Sequence, residues 1–278
     1  MKIAVVTDAV SDQYFFPIWR QYYGHLFAPE NLFVVTYLNA DFHSEGLGGV
    51  IRLPTTYDDA VRPGTMGPLV TALLKTYDLV IRVDTDEILV VDPRVAPNLK
   101  SYFLSSAARY YTARGFDVVQ TIGEPALVPG PVLSQRRYAY PNSALNKTAA
   151  TRRPLIWGSG FHWASVPPVF SPLFMLHLKR VDIEWQCRWY AEMTRNIGDN
   201  PAIDPQIRAY YAANHAAITA YHAGVSGRPR LEGLDAWYRE EHQQRFLESI
   251  KLIDGLYFGD YAHESALLGI PPEWASLF

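Results

Sequence analysis

Short runs of apolar residues alternate with longer amphipathic segments along the first third of the chain. The apolar runs have the length and the β-branched content of buried strands, and the segments between them have the spacing of helices. Strands that alternate with helices predict an α/β fold with a mostly parallel sheet flanked by helices. The predicted strands are residues 2–7, 31–38, 50–53 and 79–83, with a turn and helix cap at residues 8–12 and helices at residues 13–25 and 66–76.

The middle of the chain continues this alternation with one long interruption. Several prolines, arginines and tyrosines between residues 127 and 144 are typical of a long loop. The other predicted elements are a helix at residues 97–113 that ends at Gly115, a strand at residues 117–122, an apolar strand that begins at Leu173 and a helix at residues 183–193.

Helical segments rich in Ala and Tyr dominate the last part of the chain. They begin near Asp199 and include an amphipathic helix at residues 234–251. No repeat and no low-complexity tract interrupts the sequence. We therefore predict one domain at residues 1–198 and a helical C-terminal extension, residues 199–278, packed on that same domain.

Composition places the chain among ordinary globular proteins. It has 278 residues, 49% of them hydrophobic, and a formal net charge of −3. No basic patch favours nucleic acid as a partner, and no apolar run is long enough to span a membrane. Cys187 is the single cysteine, so neither an internal disulfide nor a cysteine-based zinc site is expected. The expected location is cytoplasmic, either free or peripheral at the inner face of the membrane, as a monomer or a homodimer.

A cluster of acids follows the fourth predicted strand. Asp84, Asp86 and Glu87 come directly after the apolar residues 79–83. In an extended segment Asp84 and Asp86 point to one side and Glu87 to the other. Two converging carboxylates repel each other unless a cation or a protein base lies between them. Carboxylate oxygens suit Mg²⁺ or Mn²⁺ beside a diphosphate, which predicts a metal site; the alternative is an ordinary polar turn.

The apolar strand that runs into Asp84, Thr85 and Asp86 resembles the Asp-x-Asp motif of GT-A fold glycosyltransferases, especially bacterial enzymes similar to family 2. The resemblance covers roughly the first two thirds of the chain. It implies a GT-A type nucleotide-sugar-binding and catalytic domain at residues 1–198, in which Mn²⁺ or Mg²⁺ is held against the diphosphate of a UDP- or GDP-sugar. It also implies transfer of the sugar to a hydroxyl group of a glycan or of a small-molecule acceptor.

The same resemblance predicts a third metal ligand. In GT-A enzymes a histidine near the end of the catalytic domain often completes the metal coordination, and His177 matches that place. The expected metal ligands are therefore Asp84, Asp86 and His177, with His162 as the rival histidine. A lone histidine in an apolar strand is otherwise a core residue that has found its hydrogen-bond partners.

Polar residues follow the first two predicted strands, and ligands of parallel α/β sheets bind outside the carboxyl ends of the strands. The resemblance assigns these residues to the nucleoside; the alternatives are helix capping for Asp8 and a solvated loop for Asp41. No Gly-x-Gly-x-x-Gly motif follows the first strand, which argues against a dinucleotide oxidoreductase. The predicted nucleotide-sugar contacts are Thr7, Asp8, Asn39, Asp41, Arg82, Asp84, Thr85, Lys147, Lys179 and Arg180.

The predicted catalytic residues are Asp86 and Glu124. Glu124 follows the strand at residues 117–122, where the resembled family frequently has an acid that serves as catalytic base on the acceptor side. Inverting transfer needs such a base within hydrogen-bonding reach of the acceptor hydroxyl. Asp182 and Glu184 are the competing candidates.

A glycine-rich segment is predicted to face the acceptor or the transferred sugar. Lys147, followed by glycines, aromatic residues and a histidine, resembles the Lys…Gly-x-His block of related bacterial transferases. Glycines let the backbone approach a ligand closely, and tryptophans stack on sugar faces, although aromatic residues at strand spacing are also typical of a core. The predicted acceptor or sugar contacts are Glu87, Trp157, Gly160, His162 and Trp163.

Three other functions stay open. Haloacid-dehalogenase-like phosphatases also use an Asp-x-Asp motif, in which the first aspartate is the nucleophile, but that motif normally lies on the first strand. Nucleotidyltransferases use a glycine- and arginine-rich N-terminal loop that is missing here. The non-enzymatic alternative is a catalytically inactive carbohydrate-binding protein of the same fold, because a fold alone does not guarantee an activity.

Overall fold

The computed structural model describes residues 1–11, 13–43, 45–198, 200–201, 203–262 and 266–278. The cap predicted at Asp12 and the domain boundary predicted at Asp199 lie outside the described residues. The strands are β1 (Ile3–Ser11), β2 (Leu32–Asp41), β3 (Gly49–Arg52), β4 (Leu79–Arg82), β5 (Glu87–Val91), β6 (Tyr110–Val119), β7 (Tyr138–Pro141), β8 (Thr148–Thr151), β9 (Phe170–Arg180), β10 (Arg230–Leu231), β11 (Lys251–Ile253), β12 (Leu256–Phe258) and β13 (Leu267–Gly269). The helices are α1 (Phe15–Phe27), α2 (Arg62–Leu73), α3 (Leu99–Ser105), α4 (Ile183–Ile197), α5 (Pro205–Tyr211), α6 (His215–Ser226) and α7 (Glu240–Glu248).

One large sheet flanked by helices forms the centre of the fold and confirms the predicted α/β class. Its strand order is β3-β2-β1-β4-β8-β6-β7-β13-β10, and β9 pairs with both β6 and β5 beside this path. β3, β2, β1 and β4 are parallel, in a Rossmann-like arrangement, whereas β8 is antiparallel to both β4 and β6. The parallel half therefore places the carboxyl ends of β1 and β4 side by side.

The two largest hydrophobic cores among the described residues take alternate side chains of β1 and so lie on opposite sides of the sheet. Ile3 and Val5 of β1 belong to the larger core, to which α1, α3 and α4 contribute. Ala4 and Val6, which alternate with them, belong to a smaller core that contains residues of α2. Burial on both faces explains why β1 is a continuous apolar run rather than an alternating one.

The helix predicted at residues 97–113 is wrong in most of its length. Only Leu99–Ser105 is helical, and Tyr110–Val119 forms β6, which includes Gly115 instead of ending there. β6 pairs with β7, β8 and β9, all of which follow it in the chain. These pairings between distant segments override the local helical pattern.

The strand predicted to carry the acids is interrupted as well. β4 ends before the acids, and a turn precedes β5, so we call residues 84–87 the acidic turn. The expectation that Asp84 and Asp86 share one face of an extended strand, with Glu87 opposite, is therefore wrong. β5 runs antiparallel to β9 and pairs Glu87 with His177. This pairing brings the predicted histidine to the acidic turn.

The last part of the chain combines the helices α5, α6 and α7 with strands that extend the main sheet. β13 pairs antiparallel with β7 and parallel with β10. The residues predicted as a long loop, 127–144, include β7, which gives β13 its partner. Within the described ranges, no helix combines the length and the apolar composition that crossing a bilayer requires.

We predict that Gly115→Ala destabilises the fold. A Cβ at Gly115 would overlap the side chain of Leu145 and lie 2.7 Å from the backbone oxygen of Asn142. Overpacking a close-packed interior typically costs about 1–3 kcal/mol, so chemical denaturation should give a lower free energy of unfolding by about 2 kcal/mol. The control is Gly224→Ala in α6, where a Cβ has no neighbour within 4 Å and slight stabilisation is expected. An unchanged denaturation midpoint for Gly115→Ala would contradict this packing.

Candidate active site

A pocket of about 400 Å³ lies at the carboxyl ends of β1 and β4. The acidic turn, β6 and β9 contribute its charged side, and α1, α4 and α5 contribute an apolar side. The pocket brings together many of the residues that the sequence analysis selected, namely Asp8, Asp84, Thr85, Asp86, Glu87, Lys147, Gly160, His162, His177, Lys179 and Arg180. Their partners determine what each of them can do.

Asp84 binds three cationic side chains. Its Oδ1 accepts hydrogen bonds from Nη2 of Arg62 and from Nη2 of Arg82, the latter at 2.6 Å. Its Oδ2 lies 3.3 Å from Nζ of Lys147. Burial alone would raise the pKa of Asp84, but Arg62, Arg82 and Lys147 hold it well below its usual range. Asp84 is therefore ionised and paired within the protein.

Asp8 binds the same two arginines. Its carboxylate accepts from Nε and Nη2 of Arg62 at 2.5 and 2.7 Å, and from Nη2 of Arg82 at 2.8 Å. It also accepts from the hydroxyl group of Tyr37 at 2.7 Å. A carboxylate has about four acceptor sites, so these bonds leave none open for the predicted nucleoside. Thr7 is fully buried and lies outside the pocket.

His177 links two carboxylates in the pocket. Its Nε2 lies 3.1 Å from Oδ2 of Asp86, and its Nδ1 lies 2.5 Å from Oδ1 of Asp117. The sheet explains this arrangement, because β9 lies between β5 and β6 and pairs His177 with Glu87 on one side and Asp117 on the other. Burial would lower the pKa of His177, but Asp86 and Asp117 raise it to about 9. The imidazole therefore carries a proton at neutral pH.

Two more cations stand at the end of β9. Nζ of Lys179 lies over the rings of Trp189 and Tyr210, 5.1 and 5.6 Å from their centroids. The guanidinium of Arg180 lies 3.9 Å from the centroid of the Tyr221 ring, and its Nε lies 3.9 Å from Oδ2 of Asp117. Aromatic faces thus orient both cations toward one end of the pocket.

His162 lines the pocket as a neutral imidazole. Burial, followed by the charge of Lys147, lowers the pKa of His162 to about 3. Its Nδ1 lies 2.6 Å from the backbone oxygen of Ala144, to which it donates when neutral. Gly160 has a φ of +60°, and a Cβ there would lie 2.6 Å from Cδ2 of His162. Only glycine at this position leaves room for the imidazole.

Several predicted ligand contacts lie elsewhere. Asn39 and Asp41 are exposed at the end of β2, where Asp41 pairs with His43 at 3.0 Å. Trp157 is buried in the smaller core, and Trp163 packs on aromatic residues of the C-terminal part. None of the four predicted contacts lines the pocket. The surroundings of Asp41 and of the two tryptophans agree with the alternatives given above, a solvated loop and packing against other aromatic residues or the core.

Glu124 is also outside the pocket. Its carboxylate accepts from the backbone amides of Thr121 at 2.6 Å and Arg137 at 3.1 Å, so it holds its own loop in place. Of the two competing candidates, Asp182 caps the N-terminus of α4, and Glu184 pairs with a histidine on the exposed surface. The geometry therefore supports none of the three as a base that reaches a substrate.

Sequence reasoning did not select three charged residues that complete the site. Arg62 connects Asp8 and Asp84 with Asp59, whose Oδ1 accepts from Nη1 of Arg62 at 2.5 Å. Asp117 fixes His177. Two signals were present in the sequence. The three-residue spacing of Asp59 and Arg62 suits an ion pair at a helix start, and Asp117 is an acid flanked by the apolar residues Phe116 and Val118.

The predicted three-residue metal site is only partly assembled. Asp86 and His177 are adjacent, whereas Asp84 is paired with Arg62 and Arg82. Across the described part of the chain, no group of three or more histidine, cysteine, aspartate and glutamate side chains is placed to hold a metal ion. A metal in this pocket would therefore depend on ligands from a substrate or from water.

We predict that Arg82→Met strongly destabilises the protein. Arg82 is buried and pairs with both Asp8 and Asp84. Removing one partner of a buried ion pair typically costs about 3–5 kcal/mol, and denaturant unfolding measures this loss. The control is Arg195→Met, because that side chain is 75% exposed and lies 4.0 Å from Glu192; a change of about 0–1 kcal/mol is expected. Equal losses in the two variants would show that the buried network does not stabilise the fold.

Comparisons with known proteins add little to this geometry. No protein-family model matches the sequence, and no curated protein matches it significantly. Among solved structures, a mannose-1-phosphate geranyltransferase from Thermus thermophilus is similar at a TM-score of 0.30 and 10% identity, over 80% of this chain and 68% of that chain. A likeness this weak assigns no function, so the functional argument depends on the pocket alone.

Proposed function

We propose that the protein is a metal-dependent glycosyltransferase of the GT-A type, which transfers a sugar from a nucleoside diphosphate-sugar to an acceptor hydroxyl group. One observation carries this proposal: Asp86, His177 and Asp117 form a hydrogen-bonded chain inside a charged pocket at the ends of parallel strands. A histidine fixed through its second nitrogen by a carboxylate is typical of metal sites. The cations Lys179 and Arg180, next to His177 in β9, suit a diphosphate.

The donor atoms fit one Mn²⁺ or Mg²⁺ with two protein ligands. Oδ2 of Asp86 and Nε2 of His177 lie 3.1 Å apart, and loss of the proton between them frees a lone pair on each. Mg²⁺ is usually held by one or two carboxylates plus substrate phosphates, and an imidazole ligand favours Mn²⁺. Asp84 has a different role in this proposal: instead of binding the metal, it pairs with Arg62, which lines the pocket, and with the buried Arg82, which does not.

The bound ion would neutralise the negative charge that develops on the leaving diphosphate. Lys179 and Arg180 add positive charge at the same end of the pocket, and aromatic rings hold both cations in place. Groups that are already oriented stabilise a transition state without having to reorganise. The buried ion pairs around Arg62 and Asp8 supply this rigidity.

A haloacid-dehalogenase-like phosphatase is less well supported. Its nucleophile would be Asp84, but both oxygens of that carboxylate face cationic donors. Nucleophilic catalysis needs an oxygen free to attack phosphorus. An inactive carbohydrate-binding protein would bind a nucleotide-sugar without turnover. Calorimetry with UDP and Mn²⁺, combined with a turnover assay across donors, separates the three hypotheses.

Asp86→Asn is the sharpest test of the metal site. The amide keeps the shape of the side chain but removes the charge that binds a divalent ion, so Mn²⁺-dependent release of UDP or GDP from nucleotide-sugars should fall by about 100-fold or more. Asp41→Asn, an exposed acid outside the pocket, serves as the control. Thermal unfolding of both variants checks that the fold is intact. Full activity in folded Asp86→Asn protein would exclude the proposed metal role.

Glu124→Gln tests the sequence prediction of the catalytic base. Because Glu124 contacts its own loop and does not line the pocket, we expect kcat to change by about twofold or less. The same steady-state assay of sugar transfer measures it. A loss of several orders of magnitude with unchanged thermal stability would instead return Glu124 to the catalytic role.

A further inference from the structure

The apolar side of the pocket is formed by three helices. We call it the aromatic wall, and its residues are Phe15 of α1, Trp189 and Met193 of α4, and Ile207, Tyr210 and Tyr211 of α5. Its rings pack on one another: Trp189 meets Phe15 edge-on at 6.0 Å and Tyr211 at 5.6 Å. The proposed metal ligands, Asp86 and His177, and the residues of the buried ion pairs are not part of this surface.

The aromatic wall opens to solvent at two of its rings. Tyr210 is 42% exposed and Trp189 is half-buried. Three of the six wall residues are buried, namely Phe15, Met193 and Tyr211. On the charged side Asp8 is 5% exposed, and all four hydrogen bonds that its carboxylate accepts come from protein donors. Trp189 and Tyr210 therefore lie toward the mouth, where a second substrate reaches the pocket.

Lys179 connects the two sides. Its ammonium lies over the rings of Trp189 and Tyr210, and β9 carries His177 two positions earlier. A diphosphate bound to Lys179 and to a metal at Asp86 and His177 would lie next to the aromatic wall. A group held on the wall is then near the bond that sugar transfer breaks, as reaction between two substrates requires.

We propose that the aromatic wall is the acceptor subsite, and that it takes a neutral acceptor with a flat apolar face, such as a pyranose ring or an aryl group. This inference rests on the proposed function. Aromatic side chains bind flat apolar surfaces through dispersion and burial, and they offer few hydrogen bonds to a polyanion. The cations nearby are already directed to the diphosphate, so the acceptor is recognised by shape and stacking.

The test uses two tryptophans of the same helix. Trp189→Ala removes the largest ring of the aromatic wall, and Trp189→Phe keeps a smaller ring there. Trp185→Ala is the matched control. Trp185 lies one turn earlier in α4 and does not line the pocket, but it packs on Phe15 at 6.2 Å, so the variant reports any loss that disturbed packing alone causes. Calorimetry measures the Kd of UDP and GDP with Mn²⁺, and then the Kd of p-nitrophenyl and methyl glycosides of glucose, galactose, mannose and N-acetylglucosamine, with and without nucleotide.

We expect the wild-type protein to bind at least one p-nitrophenyl glycoside more tightly than its methyl counterpart. Trp189→Ala should weaken that binding about fivefold to tenfold. The Kd of the nucleotide should change by about twofold or less, because Tyr210 still holds Lys179 when Trp189 is removed. Trp189→Phe should recover most of the loss, and Trp185→Ala should bind both ligands like the wild-type protein.

Three results would overturn the acceptor assignment. The first is no preference for the aryl ring in the wild-type protein, including no binding at all, and the second is an equal loss in Trp185→Ala. The third is a nucleotide Kd that weakens in Trp189→Ala as much as the glycoside Kd does, which would place the nucleobase on the aromatic wall. Failure of the proposed function is seen separately, as absence of nucleotide binding by the wild-type protein in the first calorimetric arm.

Discussion

Compensation of buried charge is the constraint on which the rest of this structure depends. Asp8 lies in β1 and Asp84 follows the adjacent parallel strand β4, so the sheet brings together one buried and one largely buried carboxylate. Such a pair is stable only if cations share it. Arg62 and Arg82 each bind both acids. Because Arg62 is the first residue of α2, the same ion pairs also fix where that helix begins above the sheet.

The constraint gives the two aspartates of one short motif different environments. The charge of Asp84 is neutralised by Arg62, Arg82 and Lys147, whose side chains are buried in the protein. Asp86 is paired with His177, whose proton a divalent ion would replace in the proposed metal site. In the sequence the two acids look equivalent. The turn between β4 and β5 directs them to different partners, Asp84 to two arginines and a lysine and Asp86 to a histidine.

The sequence was informative where signals are local. β1, β2 and β4 were predicted because strands buried on both faces are continuous apolar runs. The resemblance assigned Asp86 and His177 to one site, and the two side chains are adjacent in the structure. Predictions failed where pairing between distant segments decides, as in β6. Arg62 and Asp117 were missed for the same reason: their partners Asp8 and His177 are 54 and 60 positions away. A charge acquires its role only from its neighbours in space.

Because the ion pairs of Arg62 and Arg82 are buried, salt weakens them less than it weakens ion pairs on the surface. Dissolved ions screen pairs such as His43 and Asp41, whose side chains are 80% and 67% exposed, but they do not reach Arg82 or Asp8. The charged framework therefore keeps its shape over a wide range of ionic strength. An anion that approaches through the open mouth is screened throughout its path. High salt thus weakens the attraction of such an anion to the pocket, while the buried ion pairs of the pocket remain formed.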